Sequence, residues 1–229
     1  MKVGIMQPYF LPYIGYFQLI NAVDKFVIYD DVNYIKGGWI NRNNILIGGS
    51  KKLFTIKLKG ASQNKLINEI EIGDDFRKFM KTIHMNYSKA PYYFTVIELM
   101  NTIISFKSIS LSEFIENSIK EINSYLQIST SVSRSSKLTK NTLLKGQEKV
   151  IDICKVLEAD TYINSIGGQG IYDFKEFASN GIMLKFLKSE KVAYPQFQHD
   201  FIENLSMLDV LMFNSVGKIK DMLDNYKLI

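Results

Sequence analysis

Lys2-Val-Gly-Ile-Met6, Gln7-Pro-Tyr-Phe-Leu-Pro12, Tyr13-Ile-Gly-Tyr-Phe-Gln-Leu-Ile-Asn-Ala-Val23 and Lys25-Phe-Val-Ile-Tyr29 follow one another at the start of the chain, and their order decides the fold class. Two short apolar runs flank a stretch of helical spacing, which reads as strand, tight loop, helix, strand. In a parallel α/β sheet, ligands bind outside the carboxyl ends of the strands. Gln7 and Tyr9 follow the first run, and Asp30 and Asp31 follow the second, so these are the first candidates for chemistry. Pro12 suits the first helical position, where its missing N–H goes unneeded. Gly15, inside that turn, is unfavourable by roughly 1 kcal/mol relative to Ala. Either a neighbouring backbone packs closely on it or a ligand needs the space.

The next segment, Val32 to Asn44, is too rich in Gly and Asn for a regular element, yet it carries the only Trp of the chain, Trp39, among Lys36, Arg42 and Asn43. It is a binding loop, or the Trp anchors the loop to the core while the charges are solvated. Asn44–Ile47 and Lys52–Leu58 around Gly48-Gly49 predict a β-hairpin, and Ile67–Ile72 a further short strand. Residues 74–128 read as a helical insertion, with helices over Phe76–Met85, Tyr92–Phe106 and Leu111–Leu126, the last behind a Ser110/Glu113 capping box.

Residues 129–142 form the most hydroxyl-rich stretch and read as a loop. It is an interdomain linker, or a mobile phosphate-gripping loop whose donors are Arg134, Ser135, Ser136 and Lys137. The chain then alternates helix (to Leu157), strand (Asp160–Asn164), turn (Ile166–Gly170), helix (Tyr172–Ala178) and strand (Ile182–Leu187), as a parallel sheet requires. Gly167, Gly168 and Gln169 in that turn offer backbone N–H groups to an anion, although the spacing matches no dinucleotide or P-loop pattern. Tyr194-Pro-Gln196 is extended. Ser206 opens a buried helix over Met207–Phe213, in which Asp209 either faces a site or simply pairs.

The 229 residues suit one α/β domain over 1–229, and the hydrophobic fraction of 46% excludes a disordered chain. A net charge of +5 fits anionic small molecules without selecting them. Basic residues are spread rather than striped, so no nucleic-acid partner is expected. The single Cys154 excludes an internal disulfide and lies on an apolar helix face, as a structural thiol does. His84 and His199 have no second histidine at a ligand spacing, so no metal site is expected. No run is long enough for a membrane span and no secretory signal is visible, which makes cytoplasmic the expected location.

Met6-Gln-Pro-Tyr-Phe-Leu-Pro-Tyr-Ile-Gly-Tyr-Phe17, Tyr29-Asp-Asp-Val32, the Lys36–Arg42 segment, Tyr162-Ile-Asn-Ser-Ile-Gly-Gly168, Tyr194-Pro-Gln196 and Leu205-Ser-Met-Leu-Asp-Val-Leu-Met-Phe-Asn214 together resemble the WbqC-like family. The resemblance implies a role in bacterial cell-surface polysaccharide and sugar-nucleotide pathways. More distantly, Tyr13-Ile-Gly-Tyr16 at a helix start between two strands is similar in layout to the His-x-Gly-His unit of the nucleotidyltransferase and adenylate-forming superfamily, with tyrosines at both histidine positions. That likeness implies a Rossmann-like, HUP-type parallel sheet, and a nucleotide held by Gln7, Tyr9, Tyr13, Gly15, Tyr16, Arg134, Ser135 and Lys137. Tyrosine donates a hydrogen bond but carries no positive charge near neutral pH.

Three functions follow as expectations. The first is ATP- and Mg²⁺-dependent acyl or aminoacyl transfer to an amino sugar through an adenylate. In it Asp30, Asp31, Lys36 and Arg42 are catalytic, and Trp39, Asn43, Gly167, Gly168, Gln169, Tyr194 and Gln196 bind substrate. The second is a glycosyl- or acyltransferase that takes a nucleotide sugar without ATP. The third is a non-catalytic component of a polysaccharide pathway. The expected partner is a small-molecule nucleotide or nucleotide sugar; a homodimer stays open.

Overall fold

The computed structural model describes residues 1–198 and 200–229; His199, expected in a loop, falls outside them. In chain order the elements are β1 (Lys2–Met6), α1 (Ile14–Asn21), β2 (Lys25–Ile28), β3 (Arg42–Ile47), β4 (Ser50–Thr55), β5 (Leu58–Lys59) and β6 (Glu71–Ile72). Three helices follow, α2 (Arg77–Tyr87), α3 (Tyr93–Ser105) and α4 (Leu111–Leu126). Then come β7 (Ser131–Arg134), α5 (Gly146–Val156), β8 (Thr161–Ser165), α6 (Phe174–Ser179), β9 (Met183–Ser189), α7 (Met207–Phe213), α8 (Val216–Leu223) and β10 (Tyr226–Leu228).

The fold is α/β, with a six-stranded sheet in the order β10-β9-β8-β1-β2-β7. Every neighbouring pair is parallel except β9 and β10. From β1 the chain steps to β2 and β7 on one side, then returns to β8 and β9 on the other. The order therefore reverses between β1 and β8, as in doubly wound folds. β3–β4 and β5–β6 are separate antiparallel hairpins. The β3–β4 turn uses Gly48 and Gly49, both at positive φ (56° and 71°), the backbone that a tight hairpin needs.

Alternation along β1 divides the core between the two faces of the sheet. Val3 and Ile5 pack with Val150, Cys154 and Phe177 from α5 and α6. Burial pushes the Cys154 thiol up to about 12, so it stays an unreactive thiol. Gly4 faces the other way, where a Cβ would lie 3.3 Å from Phe26 and 3.5 Å from Leu19 and Val23. The missing side chain lets α1 approach the sheet. That second core is continuous with α2, α3 and α4, joining Phe17 and Ile28 to Phe79, Val96 and Ile119.

The structure departs from the sequence expectations in several places. Of the expected strand Ile67–Ile72 only Glu71–Ile72 is extended, because Ile67–Glu69 winds into a short 3-10 turn. Pro12 lies before the helix rather than in its first turn: Tyr13 is the capping residue, and the Pro12 carbonyl accepts the Met207 N–H instead (2.7 Å). Ser110 caps the Glu113 N–H, but the Glu113 carboxylate turns to the Ser108 hydroxyl (2.8 Å), so the capping box is half formed. α8 and β10 extend the fold past the last expected helix. The largest difference is β7, expected as a loop, which is an edge strand paired with β2 from Lys25↔Ser131 to Ile28↔Arg134.

Buried charge fastens β7 to its neighbours. Asp30, fully buried at the end of β2, accepts the Ser136 N–H (2.9 Å) and hydroxyl (2.7 Å). Burial raises its carboxyl above the usual range, with the Ser136 bonds opposing. Asp31 pairs with Lys140 (2.8 Å) and Lys149 (3.0 Å), and Lys149 also donates to the Asp31 carbonyl (2.7 Å). Burial by itself raises the Asp31 carboxyl, but the hydrogen bonds of its partners together hold it below the usual range. Arg134 pairs with Glu113 (3.1 Å) and Glu116 (2.8 Å) on α4.

Asp31→Ala strands two buried ammonium groups side by side and is expected to cost about 3–5 kcal/mol. At roughly 2–4 °C per kcal/mol for a chain of this size, the melting temperature falls by roughly 6–20 °C. Because the folded value is depressed, the contribution is complete above about pH 4, the unfolded carboxyl value, and is lost as pH falls through the folded value. The melting temperatures of wild type and Asp31→Ala therefore converge towards acid pH; a constant gap from pH 7 down to acid pH would refute the ion-pair account.

Candidate functional site

The loop from Gln7 to Pro12 is irregular but closely held. The Tyr16 hydroxyl donates to the Gln7 carbonyl (3.0 Å), the Phe10 N–H to the Ile40 carbonyl (3.0 Å), and the Asn43 amide to the Leu11 carbonyl (2.5 Å). Leu11 adopts a left-handed backbone (φ 45°), a strained state for a bulky residue that persists only where its surroundings over-determine it. Asn43, almost fully buried, thus positions the loop rather than facing a ligand with its amide N–H.

Held this way, the loop presents Tyr9 and Tyr13 beside Trp39. The Tyr9 ring lies 6.2 Å from Trp39, 6.2 Å from Tyr16 and 6.4 Å from Tyr13. The Arg42 guanidinium sits 5.4 Å from the Trp39 ring centre and is braced by the Gly38 carbonyl (2.8 Å). Trp39 nevertheless remains 49% exposed. Tyr9, Tyr13 and Trp39, together with Asn43, Asn44, Lys51 and Asn204, line an outer cavity of about 340 Å³. Burial raises the hydroxyls of Tyr9 and Tyr13, so both are proton donors at neutral pH.

Tyr13 and Asn204 also line a second, inner cavity of about 200 Å³. Its wall is mixed: Ile14, Val192, Phe201, Leu205 and Val210 are apolar, Ser189 and Asn204 are polar, and Glu190, Lys191 and Glu203 add charge. Glu190 pairs with Lys227 of β10 (2.7 Å). The two cavities form one cleft over the carboxyl end of β9 and the start of α1.

One wall of the cleft comes from residues 190–194 and 201–205, held from behind by Asp209 on α7. This carboxylate is fully buried, has no cation beside it among the described residues, and accepts from Tyr87 (2.8 Å), Tyr194 (2.8 Å) and Gln196 (2.7 Å). Burial raises its carboxyl and the three donors oppose that. Gln196 also bridges the main chain of Ile202 in both directions (2.7 and 3.2 Å). Gln196 is thus a fastening of the wall, and Tyr194 is both a fastening and a lining ring.

The expected site residues divide accordingly. Tyr9, Tyr13, Trp39 and Asn43 meet in one cavity, and Arg42 backs it. Gln7 is half-buried where β1 ends, and Lys36 is exposed on the neighbouring loop. Asp30, Asp31 and Arg134 carry the partners described above, the Ser135 carbonyl accepts from Lys140, and Lys137 is exposed. Gly167 and Gln169 are exposed in the turn after β8, while Gly168 packs on Asn164. Lys51, Asn44, Glu203 and Asn204 were not singled out from sequence. Only the rule that ligands gather at strand carboxyl ends, applied to β9, points near the last two.

At the start of α1 the space beside Gly15 and the hydroxyl of Tyr16 are both taken up by protein. A Cβ on Gly15 would meet the Tyr13 ring at 2.5 Å and the Ser189 hydroxyl at 2.9 Å, so protein fills that space. Tyr16 is buried with its hydroxyl on Gln7, and the Arg134 charge is met by two glutamates. Among the described residues no three His, Cys, Asp or Glu side chains gather into a metal-binding group. None of their helices is long and apolar enough to cross a membrane.

A mostly parallel α/β sheet with an aromatic cleft at the carboxyl end of its strands defines the class of this protein. Residues 7–221 match the WbqC-like protein family, and the chain belongs to that family. It is 29% identical over 228 residues to an uncharacterised protein of Mycobacterium tuberculosis, covering 97% of each chain. No solved structure matches it significantly.

Tyr87→Phe and Tyr194→Phe each remove one hydrogen bond to Asp209, at an expected cost of about 1–3 kcal/mol in thermal or denaturant melts. Tyr87→Phe costs more, because its hydroxyl also accepts the Leu46 N–H (2.7 Å). Only Tyr194 belongs to the cleft wall, so only Tyr194→Phe should speed tryptic cleavage at Lys191. Equal acceleration in both variants would show that Asp209 does not hold this wall.

Proposed function

We propose that this protein is a transferase of cell-surface polysaccharide assembly that binds a nucleotide-linked sugar in the aromatic cleft and works without ATP. The observation that carries the reading is Trp39, half exposed at the cavity mouth beside Tyr9 and Arg42. Burying an aromatic face of this size is a strong source of binding energy, and leaving it open in the free protein is reasonable where a ligand covers it. Binding sites combine such apolar faces with a few placed polar groups. Here those are Asn44, Lys51, Asn204 and the hydroxyls of Tyr9 and Tyr13.

Positive charge from Lys51 and Arg42 suits the diphosphate of a sugar donor, where negative charge grows as the leaving group departs. Of the two carboxylates on the inner cavity, Glu190 is committed to Lys227. Glu203 is the other, and it takes the proton of an attacking hydroxyl or amine in this reading. The task is positioning and charge compensation, which needs neither a nucleophilic cysteine nor a triad. The polysaccharide setting rests on membership of the WbqC-like family.

A nucleotide sugar at about a hundred times its Kd adds about 2.7 kcal/mol of stability. For this chain length that is an expected rise of roughly 5–10 °C in melting temperature. Trp39→Ala and Arg42→Ala are each expected to remove most of the rise. The fluorescence of the single Trp should change along the same titration. A rise with ATP and Mg²⁺ but with no nucleotide sugar would replace this reading by the adenylate one. No rise with either would favour a non-catalytic role.

A further inference from the structure

We infer that the donor lies in the cleft in one direction, with its nucleotide and diphosphate in the outer cavity and its sugar reaching past Tyr13 and Asn204 into the inner one. This direction rests on the reading of the cleft as a nucleotide-sugar site. Charge sets the diphosphate in the outer cavity. Among the described residues that cavity is lined by one lysine, Lys51, and by no acidic side chain, with the Arg42 guanidinium beside Trp39. The inner cavity carries two carboxylates, Glu190 and Glu203, against one lysine, Lys191. Phosphates are drawn to the first set and opposed by the second, and a partly enclosed cleft screens such forces less than open water does.

The two ends of the donor follow from the diphosphate. A base is held best by stacking on an aromatic face, and Trp39, at the outer cavity, is the most exposed ring of the cleft. A sugar has apolar C–H faces and hydroxyls that both donate and accept. The mixed wall of the inner cavity answers both. Ile14, Val192 and Phe201 meet the C–H faces, while Glu203 accepts, Lys191 donates and Asn204 does either. A ligand with a flat end, an anionic middle and a hydroxylated end is matched in that order.

The two cavities keep a fixed relation to one another. Tyr13 and Asn204 line both of them. The Tyr13 ring lies back against the start of α1, in the space that a Cβ on Gly15 would take. Past Asn204, the Ser206 N–H donates to the carbonyl of Asn44, an outer-cavity residue (2.9 Å), and the Met207 N–H to that of Pro12, next to Tyr13 (2.7 Å). The inner wall is thereby tied to the outer one at the point where the donor would cross.

The test measures by calorimetry the binding of UDP-glucose, UDP-N-acetylglucosamine and dTDP-rhamnose, each beside bare UDP or dTDP. Val192→Phe and Ile14→Phe each place a ring at the inner cavity, and neither residue lines the outer one. Each variant is expected to weaken the sugar nucleotide that wild type binds best by about tenfold or more, and to leave its bare diphosphate within about twofold. Lys51→Ala is expected to weaken both to the same extent, because they share the diphosphate. A sugar nucleotide unaffected by both ring variants, or a bare diphosphate weakened as much as its sugar nucleotide by both, overturns the direction and leaves the cleft as a nucleotide-sugar site. Binding of a sugar nucleotide whose bare diphosphate does not bind overturns it too. No binding of any of the three sugar nucleotides by wild type overturns the nucleotide-sugar reading itself, and the direction with it.

Discussion

The main-chain groups of Gln7 to Pro12 are held by donors and acceptors that come from four separate parts of the chain. Tyr16 on α1, Ile40 before the first hairpin, Asn43 on β3 and Met207 on α7 each take one of them. No part of this segment could keep a left-handed leucine by local preference. It keeps one because four distant elements agree on where the loop lies. The sheet, the hairpin and α7 thus share one small piece of backbone, and the aromatic cleft is the exposed surface of that agreement.

Two buried acids show opposite solutions to desolvation. Asp31 has two lysines against it, and its folded form gains from being charged. Asp209 has neutral donors only among the described residues, and burial outweighs them. Its contribution to stability therefore runs the other way with pH: present below the ordinary carboxyl value and lost as pH rises through the raised folded one. Neutral donors still have a use that a cation would not serve. Tyrosine and glutamine deliver hydrogen bonds with fixed direction, so Asp209 orients a wall where Asp31 only neutralises.

The parts of the fold legible in the sequence are those whose signals are local. β1, α1 and β2 announce themselves by period, the first hairpin by Gly48-Gly49, and α4 by the Ser110 cap. The cleft was half legible for the same reason. Tyr9, Tyr13 and Trp39 are conspicuous aromatics in segments of Pro, Gly and Asn, and they do share a cavity. The opposite wall carries no such mark. Glu203 and Asn204 reach the cleft because Tyr194 and Gln196 bind a carboxylate further along the chain, and Tyr87, far earlier in sequence, binds the same one. The partners that Asp30, Asp31 and Arg134 have in the fold were not legible in the sequence. Lys140, Lys149, Ser136, Glu113 and Glu116 lie too far away in sequence for any spacing rule to pair them.

β7 was hidden because Ser-Val-Ser-Arg has one apolar residue in four, too few for alternation to register. That composition has a further effect. β7 is the outer edge of the parallel sheet, and an open edge is a template onto which another strand can add. A long apolar edge would invite self-association while the chain is still folding. A four-residue edge with one apolar side chain, ended by a compact turn at Ser135–Lys137, offers little to extend and little to bury. The weakness of the signal and the safety of the edge are one property seen from two sides.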